Sequence, residues 1–65
     1  MATPKTITLQ LELSGAEAWD YAQFLKRVGF REYLANSTTK SEANRMLDVG
    51  EKIREALRAS GIAPR

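Results

Sequence analysis

After four residues the chain enters a strict alternation. In Lys5-Thr6-Ile7-Thr8-Leu9-Gln10-Leu11-Glu12-Leu13 every second residue from Ile7 is Ile or Leu, and those between are polar. A period of two predicts a strand over 5–13. Ile7, Leu9, Leu11 and Leu13 fall on one face, and Thr6, Thr8, Gln10 and Glu12 on the other. No second stretch of the chain alternates this way.

From Ser14 the period lengthens. Ser14 can cap a helix N-terminus while Glu17 reaches back to its amide, a capping box that opens a helix over 15–28. Ala18, Tyr21, Ala22, Leu25 and Val28 share its apolar face, Trp19 and Phe24 flank that face, and Asp20, Gln23, Arg27 and Arg31 lie opposite. Gly29 is expected in a left-handed closing position, with Phe30 folded back onto Leu25. Phe30, Tyr33 and Leu34 are spaced for a short helical turn over 30–35, followed by the loop composition Asn36-Ser37-Thr38-Thr39.

Thr39 and Glu42 make a second capping box, opening a helix over 40–59. Its face is Ala43, Met46, Leu47, Gly50, Ile53 and Leu57, with Arg54 on the same arc and Asp48–Lys52 as an exposed pair. A glycine at the centre of an apolar helix face predicts close approach by another element, here Trp19 or Ala22. Gly61-Ile62 repeats the closing device of Gly29-Phe30, with Ile62 placed to touch Leu57 and Pro64 barring continuation. Residues 1–4 read as a flexible leader and 61–65 as a tail.

Composition turns this pattern into an assembly. At 65 residues the chain is one domain, burying only about 60% of the surface its unfolded form exposes. Such chains are supplemented by disulfides, metals or oligomerisation. There is no Cys and no His, which removes disulfides and the ordinary zinc sites. A lone strand also leaves both backbone edges open. The expectation is therefore a small α+β fold in strand-helix-helix order. Its strand pairs with that of a second copy across a two-fold axis, with Ile7, Leu9, Leu11 and Leu13 as the dimer interface. No apolar run approaches the ~20 residues of a membrane span, and the first residues lack a secretory pattern, so the cytoplasm is the expected location.

Two stretches carry a resemblance. "TITLQLEL" and "TTKSEANRML", in a strand-helix-helix order, resemble the strand and the start of the second helix of ribbon-helix-helix DNA-binding proteins. The resemblance implies a transcriptional regulator in which Thr6, Thr8 and Gln10 face base edges in the major groove. Lys5, Thr39, Lys40 and Ser41 would then meet the phosphate backbone. A two-stranded ribbon fits that groove, and a capped helix start accepts an anion. "AEAWDYAQFLKRVGF" and "REALRASGIAPR" resemble a family of short uncharacterised bacterial proteins over most of the chain, which implies no activity.

Catalysis is not expected. Without His or Cys a nucleophile would need Lys or a carboxylate as its base. The eight acids are scattered mostly over predicted solvent faces, and no Gly-rich phosphate loop occurs. No cofactor, metal or small-molecule substrate is implied. A formal charge of +2 permits a nucleic-acid partner without requiring one. The aromatics lie at helical spacing beside apolar faces, so core or dimer packing is their first reading. As surface groups, Trp19, Phe24, Phe30 and Tyr33 would anchor a partner protein. Two functions remain open: a DNA-binding regulator, or a non-enzymatic interaction module acting as adaptor or inhibitor of a larger complex.

Overall fold

Three helices carry the regular structure of residues 6–64, the part of the chain described by the computed structural model. They are α1 (Gly15–Arg27), α2 (Phe30–Ala35) and α3 (Lys40–Ala59). Both α1 and α2 pack on α3. The leader, Lys5 and Arg65 lie outside the described residues.

The α+β expectation is corrected: among the described residues there is no strand, and the fold is all-α. Residues 6–13 enter no backbone hydrogen bond with another described residue. Alternation specifies an extended backbone with two chemically different faces, but a strand also requires a neighbouring edge. Helices dominate everything downstream of Ser14, and their own ladders consume the backbone groups that an edge would offer. The strand-paired ribbon falls with this correction.

Local chemistry accounts for the helix boundaries. At α1, Ser14 Oγ accepts from the Glu17 amide at 3.0 Å, and Glu17 Oε1 accepts from the Ser14 amide at 2.8 Å. The capping box is complete. At α3, Thr39 Oγ1 accepts from the Glu42 amide at 3.1 Å. The return bond differs from the expected box: the Glu42 carboxylate accepts from the amide and the hydroxyl of Thr38, at 3.2 and 3.1 Å. One residue upstream of the cap, this bond orders the end of the connecting loop.

The two glycine endings are unalike. At α3, Gly61 has φ +92. The Ile62 amide donates to the Leu57 carbonyl at 2.8 Å, and Gly61 donates to Arg58 at 2.9 Å. That is the full Schellman arrangement, and Ile62 packs against the cluster containing Leu57. At α1 the expected device is absent. Val28 is the C-cap in extended geometry, and Gly29, at φ −108 and ψ 173, is the N-cap of α2. The chain needs two extended residues here to turn from one helix into the next, so no left-handed closure forms.

Inside, the core is small. Ala18, Ala22, Leu25 and Leu57 form its buried cluster, and Ala43 of α3 is buried as well. Small residues let helix backbones approach, but they bury little apolar area each. The described chain measures 38 × 28 × 15 Å. With so few large side chains buried, the helices keep much of their apolar surface uncovered. Gly50 is buried at the α3 crossing. The groups closing on it are Tyr33 of α2 and Leu25 of α1, not Trp19 or Ala22. Among the described residues the ion pair is Arg58–Glu55 at 2.8 Å; Asp48 and Lys52 do not meet.

Candidate interaction surface

The small core leaves large apolar side chains in solvent. Ile7, Leu9 and Leu11 are 77%, 76% and 74% exposed, and Leu13 about half. Their polar neighbours Thr6, Thr8, Gln10 and Glu12 are exposed as well. No buried face therefore separates the two rows on this segment.

On the helices, Trp19, Tyr21 and Phe24 of α1 are about half exposed. The Tyr21 and Phe24 rings lie one helical turn apart with centroids at 5.5 Å, tilted by 31°. That geometry is favourable for aromatic pairs, and it fixes Phe24 as a ridge between two hollows.

The larger hollow is an open groove of about 940 Å³ along α1 and α2. Trp19, Phe24, Val28 and Tyr33 form its apolar wall, and Asp20, Arg27 and Glu32 stand at its polar margin. Gln23 lines it too, and the Gln23 carbonyl oxygen is buried without a hydrogen-bond donor. The smaller hollow, about 370 Å³, lies across α1 and α3 and is lined by Tyr21, Met46, Val49 and Ile53, with Glu42 and Arg45 at its edge. Phe24 and Tyr33 contribute to both.

The surroundings of Tyr33 act on its phenol. Its pKa lies above the ordinary tyrosine value of 10.0, chiefly because of burial, with Tyr21 and Glu51 adding like-charge repulsion. The phenol thus stays neutral at physiological pH, in keeping with a place in an apolar wall.

Of the expected partner anchors, the fold brings Trp19, Phe24 and Tyr33 into one groove, while Phe30 is half-buried and lines neither hollow. Thr39, Lys40 and Ser41 are exposed at the start of α3. Within a turn of them sits the Glu42 carboxylate, already bonded to Thr38. Thr6, Thr8 and Gln10 lie on the unpaired segment, and Lys5 is outside the described residues.

Sequence reasoning missed Val28, Gln23 and Arg27 as groove residues, and it placed Tyr21 on the core face, although the side chain is half exposed. It also passed over Val49, which with Met46 and Ile53 makes an i, i+3, i+7 row on α3. That spacing was visible in the chain and widens the apolar arc beyond what α1 and α2 can cover. Among the described residues no helix is long and apolar enough to cross a membrane.

No curated protein and no solved structure matches the chain. A family model does match, over residues 1–65. The chain therefore belongs to DUF7706, a family of unknown function.

Proposed function

We propose that the protein is a non-enzymatic interaction module whose α1–α2 groove receives an apolar segment of a protein partner. The observation that carries this reading is the convergence of Trp19, Phe24 and Tyr33 on one open hollow of about 940 Å³. Half-exposed aromatic rings on helices that already pack elsewhere supply large contact area at low conformational cost, and such residues dominate binding energy at interfaces. The polar margin of Asp20, Arg27 and Glu32 gives the groove a wet rim around an apolar floor, the usual anatomy of an interface.

The surface expected for duplex DNA is less suited to its task. Glu12 sits on the polar row with Thr8 and Gln10, and the Glu42 carboxylate stands at the helix start that would hold a phosphate. Both place negative charge where phosphate neutralisation would have to supply affinity.

The test is cross-linking in intact cells followed by mass spectrometry. Wild type is compared with Trp19→Ser/Phe24→Ser and with Thr8→Glu/Gln10→Glu. Protein cross-links should disappear in the first variant and persist in the second. Recovery of duplex DNA that weakens with salt and is lost only in Thr8→Glu/Gln10→Glu would overturn the reading in favour of DNA binding.

A further inference from the structure

Among the described residues the chain carries an open aromatic groove and an exposed apolar row on which no other element packs. We propose that the occupant of the groove is the Ile7–Leu13 segment of a second copy, seated through its side chains without a backbone ladder. The proposal rests on the groove reading above and names its partner.

Dimensions favour the match. The groove lining on α1 runs from Trp19 to Arg27, about 12 Å of helix, and four residue steps of extended chain span about 13 Å. Along α1, the groove residues Trp19, Gln23 and Arg27 recur every four positions, a rise of about 6 Å. Along the segment, Ile7, Leu9, Leu11 and Leu13 recur every second residue, about 6.6 Å apart. The two repeats stay nearly in step along the groove, so two successive apolar groups of the row can enter between its three ridges.

Chemistry agrees with shape. Apart from Glu12, which falls on the opposite row, residues 6–14 are uncharged, so the row brings only apolar groups to the apolar wall. The buried Gln23 carbonyl lacks a donor, and an extended segment running past it offers a backbone N–H to a rotated amide.

A second copy fits better than the chain's own segment. Ser14 is extended (φ −67, ψ 162) and tied to Glu17 in both directions, which sets the path by which the segment leaves α1. On that path its apolar row projects into solvent. Reciprocal exchange closes the contact into a two-fold pair, in which every groove and every segment is used.

Sedimentation of the purified full chain tests this, because exchange makes a prediction that symmetric packing does not. Wild type should self-associate at micromolar concentration. Leu9→Asp/Leu11→Asp destroys the row, Trp19→Ser/Phe24→Ser destroys the groove, and each alone should weaken association at least roughly tenfold. An equimolar mixture of the two should recover mixed dimers, since one intact groove meets one intact row. Should the groove variant lose helix by circular dichroism, a second measurement replaces it. A peptide of residues 6–14 is added to Leu9→Asp/Leu11→Asp, and the fluorescence of Trp19, the single tryptophan, should shift.

A monomeric wild type, or failure of both the mixture and the peptide, overturns the proposal. If the chain stays monomeric while Trp19 and Phe24 remain essential for capturing another protein, the second-copy assignment falls and the groove reading stands. If those residues matter to neither, both fall.

Discussion

The hydroxyl of Tyr33 occupies the place where a Cβ on residue 50 would stand. The ring carbon bearing it lies 3.3 Å from that position, and Leu25 Cδ2 lies 3.6 Å away. Gly50 thus lets α2 lay its aromatic residue across the α3 backbone, and the same ring forms part of the groove wall on its other side. Packing and candidate function meet in one side chain.

Gly50→Ala should therefore destabilise the protein, although alanine is the better helix former. The gain in helix propensity is about 1 kcal/mol, whereas forcing a methyl group into a filled site costs roughly 1–3 kcal/mol. The expected net loss is about 1 kcal/mol. Tyr33→Phe removes the colliding oxygen, so Gly50→Ala in that background should cost at least ~0.5 kcal/mol less. Urea unfolding of the four proteins measures both. A Gly50→Ala protein more stable than wild type would show that the ring moves aside freely.

Alkaline pH should weaken the fold through the same residue. Burial first, and then Tyr21 and Glu51, raise the Tyr33 pKa above its ordinary 10.0. The native state then holds the phenolic proton more tightly than the unfolded chain. This contribution is complete below the unfolded pKa of about 10, declines as pH rises past it, and is gone above the folded value. Stability followed by urea from neutral pH to beyond the tyrosine range should show that decline. Tyr33→Phe should flatten it, and an unchanged alkaline arm in that variant would assign the loss to another group.

Gly29 and Gly61 should respond oppositely to alanine. Gly61 is left-handed at φ +92, a conformation that costs an L-residue roughly 1–2 kcal/mol. Gly61→Ala should lose about 1 kcal/mol and loosen Ile62 from Leu57. Gly29 is extended, and a Cβ there would meet only the far end of the Glu32 side chain at 3.3 Å. Gly29→Ala should be neutral or stabilise by up to about 1 kcal/mol, by restricting the unfolded chain. Equal losses at both sites would mean that Gly29 has a role beyond its backbone angles.

The legible parts of the sequence were those with nearby causes. Ser14 with Glu17, Thr39 with Glu42, and Gly61 with Ile62 each act within five residues, so their bonds follow from spacing whatever the rest of the chain does. The 30–35 turn is of the same kind: Phe30–Ala35 forms α2, closed where Asn36 Nδ2 donates to the Glu32 carbonyl at 2.8 Å. Gly29 misled because the sequence Gly-Phe is shared by a helix ending and a helix beginning. The outcome depends on where α2 must point, which is a property of its contact with α3.

The candidate site was half legible. Trp19, Phe24 and Tyr33 stood out as anchors by residue type, but their meeting in one groove requires α1 and α2, joined by the extended Val28-Gly29 link, both to pack on α3. Phe30, an equally good anchor by type, lines neither hollow.

Most caps, the helical periods and the two-faced alternation of the Ile7–Leu13 row were settled by residue order, because each depends on hydrogen bonds or side-chain alternation within a few positions. Which element would lie across Gly50, which aromatics would face solvent, and whether the extended row would gain an edge were settled by tertiary packing. Three helices that meet through alanine, glycine and two leucines enclose little apolar area, and a core that small cannot cover every apolar side chain beside it.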